Sequence, residues 1–206
     1  MEESNHNAEG HGPILLETRG LTKHFPMVIA NEAVDFNVTQ GEIHCLLGEN
    51  GAGKSTLAES LFGFYMPDSG EILWKGEKVE ISSPSVAMDL GIGMVHQHFR
   101  LVDRFSVAEN VVLGDPGQEW VLDNRDIEQR VADIGDQFGL PIDPRALISN
   151  LTVGQRQRVE IVKMLYRGAD VLLLDEPTAV LTPPEVEALF KTVHSMTAEG
   201  KSIVFI

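Results

Sequence analysis

Apolar and polar residues alternate along two stretches near the start of the chain, Ile14–Arg19 and Ala33–Val38. This period of two predicts strands with one buried face, separated by a short loop near Phe25. The next stretch, Ile43–Leu47, is mostly apolar and predicts a buried strand. An amphipathic segment, Ser55–Phe62, follows it and predicts the first helix.

A β-hairpin is expected next, because two short strand-like segments, Glu71–Trp74 and Val79–Ile81, flank the turn at Lys75-Gly76. A helix should then run from near Ser83 to Gly91, with Pro84 in its first turn, where the missing N–H has no consequence. Ile92–Val95 predicts another short buried strand.

The pattern changes to helices from Phe99 to about Asn150, which indicates a helical insert. Val107–Leu113 is short and apolar. Arg125–Phe138 has apolar residues at helical spacing and should end at Gly139. The apolar stripe consists of Ile127, Val131, Ile134 and Phe138.

The last part of the chain alternates helix and strand again, which predicts an α/β fold. Helices are expected over Val153–Arg167 and Pro183–Ala198. The strand Val171–Leu174 has no polar residue, as in a parallel sheet buried on both faces. Because the strand-like Ser202–Ile206 ends the sequence, we interpret the chain as a fragment that lacks its C-terminal part.

Composition narrows the class of protein. The 206 residues suit one domain with a substantial core, and no apolar run approaches the ~18 residues of a membrane span. The net charge of −15 argues against a nucleic-acid partner, because phosphate backbones need a basic footprint. The single cysteine, Cys45, is expected to be buried and inert. Residues 1–13 are interpreted as a disordered tail.

The glycine-rich stretch after the Ile43–Leu47 strand predicts a P-loop that binds a nucleoside triphosphate. Gly48, Gly51 and Gly53 would adopt positive φ and let the backbone approach phosphate. Lys54 would reach the β- and γ-phosphates, and the Ser55 hydroxyl would bind Mg²⁺. The alternative is a glycine turn with an incidental lysine. The predicted ATP-binding residues here are Gly48, Glu49, Asn50, Gly51, Ala52, Gly53, Lys54, Ser55 and Thr56.

Two carboxylates follow the strand Val171–Leu174, at the edge of the sheet where open α/β folds bind ligands. Asp175 is positioned to hold Mg²⁺, and Glu176 to polarise an attacking water as general base. The alternative is that Asp175-Glu176-Pro177 is a simple strand-ending turn.

A hydroxyl, a glycine and an amide lie together before the helix that starts at Val153. Thr152, Gly154 and Gln155 would form a second surface directed at phosphate, at a helix N-terminus. The alternative is a plain helix with Thr152 as its N-cap.

Together these motifs resemble those of ABC-transporter ATPases, from Leu15 to the end of the chain. LTVGQ, before VLLLDEPT, resembles the family's LSGGQ signature. Gln97, in GMVHQHFRL, matches its Q-loop, and Ala179–Thr182 occupies the D-loop position. The resemblance implies a RecA-like P-loop NTPase core with an antiparallel β subdomain and a helical subdomain. The ATP-binding domain would span residues 14–206, with the helical subdomain at about 99–167.

The resemblance also implies roles for single residues. Gln97 would contact Mg²⁺ and the attacking water, beside the metal-binding Ser55 and Asp175. Phe25 would stack on adenine, although a loop aromatic packing on the core is the alternative. His96 and His98 flank Gln97 and could suggest a metal pair, but the Q-loop explains the segment better.

Domains of this family pair head to tail, so ATP lies between the P-loop of one and the signature of the other. The signature residues would therefore contact the partner's ATP; they are Leu151, Thr152, Val153, Gly154 and Gln155. A second ATPase domain is expected on the same polypeptide. Phe99–Gly114 would dock a transmembrane permease, served in turn by a solute-binding protein. This places the protein at the cytoplasmic face of the membrane.

Departures from the family pattern point to a subfamily. Thr152 replaces serine, Val153 replaces glycine and Thr182 replaces aspartate, as in importers of simple sugars and nucleosides. The nucleoside branch is the closer match, and ribose- or galactose-type import is the second choice. The alternatives are a soluble ABC protein acting on ribosomes or DNA, and a fragment that only binds nucleotide. The family's switch histidine would follow Ile206, so we expect the isolated chain to hydrolyse ATP poorly.

Overall fold

The computed structural model describes residues 12–115 and 124–206, which form two four-stranded sheets with helices around them. A 3₁₀ turn at Ile148–Asn150 precedes the fifth helix. The strands are β1 (Ile14–Phe25), β2 (Val28–Thr39), β3 (Ile43–Cys45), β4 (Ser69–Trp74), β5 (Glu77–Val79), β6 (Ile92–Val95), β7 (Val171–Leu174) and β8 (Ser202–Phe205). The helices are α1 (Lys54–Leu61), α2 (Pro84–Leu90), α3 (Val107–Val112), α4 (Asn124–Gln137), α5 (Val153–Tyr166) and α6 (Pro183–Ala198).

The first sheet is antiparallel, with strand order β2-β1-β4-β5. Strands β1 and β2 form a long hairpin, each twice the predicted length, because β-bulges break the strict alternation that the sequence pattern relies on. Its turn is at Pro26-Met27, and Met27 has φ +69°. The predicted β-hairpin is confirmed as β4 and β5, but β5 is Glu77–Val79 and not Val79–Ile81. This sheet brings the turn between β1 and β2 towards the P-loop.

The second sheet is parallel, with order β3-β8-β7-β6, and β7 lies inside it with all four side chains buried. Leu174 pairs with Val95 on one side and with Phe205 on the other. Each fully buried leucine or valine contributes about 1.5–3 kcal/mol to folding. The register brings the carboxyl ends of three strands to one edge, and residues 175–176 follow β7 there.

Strand β3 is shorter than predicted, and the prediction that Cys45 is buried was wrong. The strand ends at Cys45, whose side chain is exposed, and Leu47 is 91% exposed. Among the described residues β3 pairs only with β8, so it is an edge strand. An apolar run predicts burial only when neighbours cover both of its sides.

The predicted helices are present, and each end lies within one residue of its prediction. Helix α1 begins at Lys54, one residue early, and α2 has Ser83 as its N-cap. On α6, Phe190 is 42% exposed and stacks on Phe205, with 5.6 Å between the ring centroids. No helix in the described part of the chain is both long and apolar enough to cross a membrane.

Two hydrophobic cores lie on opposite faces of the parallel sheet. Helices α3, α4, α5 and α6 form one core, against side chains such as Leu172 and Ile203. The antiparallel sheet, α1 and α2 form the other, against Leu173 and Val204. The parallel sheet is therefore covered on both faces, as predicted. Of the predicted tail, residues 1–11 lie outside the described residues, while the carbonyl of Pro13 accepts a hydrogen bond from the Gln40 N–H at 2.9 Å.

Candidate functional site

The P-loop connects β3 to α1 and has the conformation that glycine allows. Gly51 and Gly53 both have φ +85°, as predicted. Gly48 does not have positive φ, so that part of the prediction was wrong; a Cβ there would lie 3.4 Å from the Ala52 Cβ, in ordinary contact. The Lys54 ammonium donates to the carbonyls of Gly48 and Glu49 at 2.9 and 3.0 Å. The Lys54 side chain therefore folds back over the P-loop and binds two of its backbone carbonyls.

Strand β2 supports the P-loop through a residue that the sequence analysis missed. Asn31 is 7% exposed, and its Nδ2 donates to the Gly53 carbonyl at 3.1 Å. A Cβ on Gly53 would lie 2.8 Å from that Nδ2 and would overlap the carbonyl oxygen of Ala30. Only glycine fits here. No local pattern marks Asn31, because it is 22 residues from Gly53 along the chain.

The first carboxylate after β7 contacts the first turn of α1. The Ser55 Oγ donates to the Asp175 Oδ1 at 3.2 Å, and the Asp175 N–H donates to the carbonyl of Val95 at 3.0 Å. Burial, with a smaller contribution from the charge of Glu176, raises the pKa of Asp175. Burial and the nearby Asp175 charge also raise the pKa of Glu59. The predicted metal-binding residues Ser55 and Asp175 thus lie in contact, and two further carboxylates, Glu59 and Glu176, lie close to Asp175.

The second carboxylate, Glu176, meets Gln97, although 79 residues separate them. The Gln97 Nε2 donates to the Glu176 Oε2 at 2.7 Å. Glu176 has φ +44°, which is costly for a residue with a side chain, and its N–H donates to the Ile206 carbonyl at 3.1 Å. Backbone strain of this kind is held by the surrounding structure and is frequent at functional sites.

A cleft of about 280 Å³ opens in front of the P-loop. Its lining combines strands β1 and β2, the P-loop, the first turn of α1 and the ends of β7 and β8, with the residues Phe25, Val28, Ala30, Asn50, Gly51, Gly53, Lys54, Ser55, Thr56, Glu176 and Ile206. Phe25 lies at one side of the cleft and packs edge-on against Tyr65, with 5.0 Å between ring centroids. The Lys23 ammonium lies 5.7 Å from the Phe25 ring centre. Phe25 is thus held at the cleft while packed on its neighbour; its stacking on adenine stays a prediction.

The two histidines beside Gln97 differ in environment. His96 packs against the rings of Phe62 and Phe64, at centroid distances of 6.0 and 5.3 Å. Burial, with a smaller contribution from the charge of Arg100, lowers the pKa of His96 to about 4. His98 is exposed. His96 is therefore a neutral packing residue near pH 7.

The signature stretch forms the N-terminus of α5, away from the P-loop cleft. Thr152 is its N-cap: Thr152 Oγ1 accepts the Gln155 N–H at 3.3 Å, and Gln155 Oε1 accepts the Thr152 N–H at 2.9 Å. Gly154 is buried beside Glu185 of α6, whose carboxylate also accepts the Thr182 N–H and Oγ1–H at 2.9 and 2.7 Å. The two helix N-termini therefore share one glutamate.

The comparisons with known proteins agree with these features. The chain is 53% identical to a guanosine import ATP-binding protein of Bacillus subtilis, over 92% of this chain and 38% of that protein. It is 50% identical to a nucleoside import ATP-binding protein of Lactococcus lactis, over 90% and 37%. It is 49% identical to a ribose import ATP-binding protein of Rubrobacter xylanophilus, over 93% and 39%. The chain thus spans under two fifths of the length of these curated relatives.

The solved structures show the same fold. An ATP-binding cassette of an ABC transporter in its ADP conformation matches with TM-score 0.83 and 24% identity, over 94% of this chain and 80% of that one. A Clostridium perfringens protein, part of an ABC transporter complex, matches with TM-score 0.79 and 30% identity, over 94% and 78%. The family model described as "ABC transporter" matches residues 31–179. The chain therefore belongs to the ABC transporter family.

Proposed function

We propose that this chain binds and hydrolyses ATP to drive an importer of nucleosides or simple sugars. One observation carries the proposal: the parallel sheet places the P-loop, Asp175, Glu176 and Gln97 around a single edge. A P-loop alone is shared by many nucleotide-binding proteins. A carboxylate pair and an amide at the same edge add the groups that hydrolysis requires.

ATP binding would be the role of the loop between β3 and α1. The left-handed turns at Gly51 and Gly53 would orient backbone N–H groups towards a phosphate, at the N-terminus of α1. Lys54 would exchange its two carbonyl partners for phosphate oxygens, which bind a cation more strongly than neutral carbonyls do. Phe25 would cover the adenine at the other end of the cleft.

Mg²⁺ fits the oxygen atoms at Ser55 and Asp175. A hydroxyl and a carboxylate already within 3.2 Å of each other are hard ligands of the kind that Mg²⁺ takes, with phosphate and water completing its coordination. Within residues 12–115 and 124–206 there is no cluster of three His, Cys, Asp or Glu side chains that could hold a metal by itself. When bound, the ion would neutralise charge on the phosphates. The side-chain oxygen of Gln97 would be a further ligand of the Mg²⁺ ion.

Glu176 would act as general base. Its carboxylate is exposed to the cleft and accepts a 2.7 Å hydrogen bond from the Gln97 amide, which can hold the carboxylate in place until the two groups separate and admit a water molecule. The water would lose its proton to Glu176 as it attacks the γ-phosphate. Gln97 would orient the same water through its amide.

The signature residues Leu151–Gln155 would serve the ATP bound to a second ATPase domain. None of them is among the residues that line the cleft, although the structure describes all five. In the intact protein, the second domain would supply the matching signature to this P-loop. The exposed apolar side chains at Val102, Phe105 and Leu113 would contact a permease subunit at the membrane.

Between the two candidate classes of transported solute, sequence identity favours nucleosides over simple sugars. Identity to the guanosine import protein is 53%, against 49% to the ribose import protein. In this kind of importer the permease and the solute-binding protein select the solute, so cargo is tested with the assembled transporter. Uptake of labelled guanosine and ribose into vesicles containing it would separate the two.

Two substitutions in the intact protein test ATP binding and hydrolysis separately. With the second site disabled, Lys54→Ala should abolish ATP binding in calorimetry, because the loop loses its only side-chain cation. Lys78→Ala is the matched control, since that lysine lies on β5 in an exposed ion pair with Glu71. Glu176→Gln should bind ATP and stop turnover. Unchanged ATP affinity in Lys54→Ala, or normal hydrolysis in Glu176→Gln with the second site disabled, would reject the assignments.

A further inference from the structure

Helix α5 carries two buried polar side chains that the proposed mechanism does not use. Gln157 is 4% exposed and Glu160 is 6% exposed, and their spacing of three residues places them on one face of the helix. Burying an amide or a carboxylate is costly unless each finds hydrogen-bond partners. Their partners are both backbone groups outside the helix.

Gln157 binds the segment that follows the general base. Its Nε2 donates to the carbonyl of Pro177 at 2.8 Å, and both groups are buried. Pro177 directly follows Glu176. Helix α5 is thus attached one residue away from the carboxylate at the cleft.

Glu160 binds the Q-loop. Its Oε1 accepts the Arg100 N–H at 2.6 Å, which is short for a hydrogen bond and typical of a charged acceptor. The Arg100 guanidinium lies over the ring of Phe64 at 4.7 Å, so the residue is held by its side chain and by its backbone. Gln97 is three residues away, between this anchor and the packed His96.

We infer that Gln157 and Glu160 are positioning residues, which fix the signature helix to the two groups that activate water. Each holds a backbone group close to one member of the Gln97–Glu176 pair, whose own hydrogen bond is 2.7 Å long. The inference rests on the proposed function. It adds that α5, whose first residues form the signature, keeps Gln97 and Glu176 at a fixed distance from each other, because both anchors lie on this one helix.

Glu160 allows the sharper test, because its charge and its position can be separated. Lys163, about one turn further along α5, is 9% exposed, and its positive charge favours the ionised form of Glu160 more than that of Arg167 does. Glu160→Gln keeps an oxygen that can accept the Arg100 N–H and loses only the charge. Glu160→Ala loses both. Lys163→Met removes the partner charge and leaves the contact with Arg100, so it is the matched control.

The experiment measures ATP turnover and backbone hydrogen exchange in the intact protein with its second ATP site disabled. Glu160→Ala should lower kcat by about ten-fold or more with KM for ATP unchanged, because the P-loop is not touched. Exchange of the Arg100 amide should become about 10- to 100-fold faster. Glu160→Gln should retain most of kcat, and Lys163→Met should lower the melting temperature without lowering kcat.

Two outcomes would overturn the inference. One is normal turnover in Glu160→Ala. The other is an equal loss in Glu160→Gln and Glu160→Ala, which would assign the effect to charge and not to position. Failure of the proposed function is separate: an unmodified protein that does not hydrolyse ATP would reject that function. The exchange of the Arg100 amide would still report whether Glu160 holds the Q-loop.

Discussion

Substitution of Gly53 by alanine would test how the P-loop is held. Gly53 has φ +85°, and a side chain in the left-handed region costs about 1–2 kcal/mol. The new Cβ would also lie 2.8 Å from the Asn31 Nδ2 and inside the contact distance of the Ala30 carbonyl oxygen. The Ala30 carbonyl oxygen belongs to the backbone of β2 and cannot swing away. Overpacking of this kind costs about 1–3 kcal/mol more.

The matched control is Gly168→Ala. Gly168 has φ +80° after α5, and a Cβ there would have nothing within 4 Å, so that variant bears only the backbone cost. Urea unfolding of the nucleotide-free proteins should therefore show a further loss of about 1–3 kcal/mol in Gly53→Ala. If the loop moves to relieve the overlap, calorimetry should show ATP affinity at least about ten-fold lower, while Gly168→Ala binds normally.

The result that would refute this reasoning is equality of the two variants. If Gly53→Ala matched Gly168→Ala in both stability and ATP affinity, the close contact between β2 and the P-loop would affect neither the free energy of unfolding nor ATP binding. A loss in stability with normal affinity would instead show that the loop keeps its shape and that β2, not the P-loop, moves to relieve the overlap.

Two further predictions concern His96 and the shared glutamate. Burial lowers the pKa of His96 to about 4 in the folded state, whereas the same side chain in the unfolded chain has a pKa of about 6.5. Between these two pH values the unfolded state therefore binds a proton at His96 that the folded state does not bind. Stability should therefore fall as pH decreases from about 6.5 to 4, and urea midpoints of His96→Gln should fall less steeply; parallel curves would contradict this. The second prediction concerns Glu185, the glutamate shared by the N-termini of α5 and α6. Gly154→Ala places a Cβ 2.8 Å from the Glu185 Cδ. A double-mutant cycle with Glu185→Ala should give a coupling of about 0.5–3 kcal/mol, and additive effects would show that the contact has no consequence.

Most elements were predictable from the chain because their signals are local. The apolar period of α4, the uninterrupted run of β7 and the glycines before α1 each depend on residues within a few positions. The P-loop and the carboxylates after β7 were identified for the same reason. Local signals failed where bulges interrupt alternation, as in β1 and β2, and at Cys45, whose exposure depends on how many strands pair with β3.

The amino-acid sequence alone determined the local chemistry: a glycine loop at a helix start, two carboxylates after a buried strand, and a capped helix at Thr152. Only the tertiary structure decided which of these groups meet. The contacts of Asn31 with Gly53, of Gln97 with Glu176 and of Glu160 with Arg100 join residues 22, 79 and 60 positions apart. Such pairs depend on strand order and helix packing, which no short pattern specifies, because burial and hydrogen bonding are completed by distant parts of the chain.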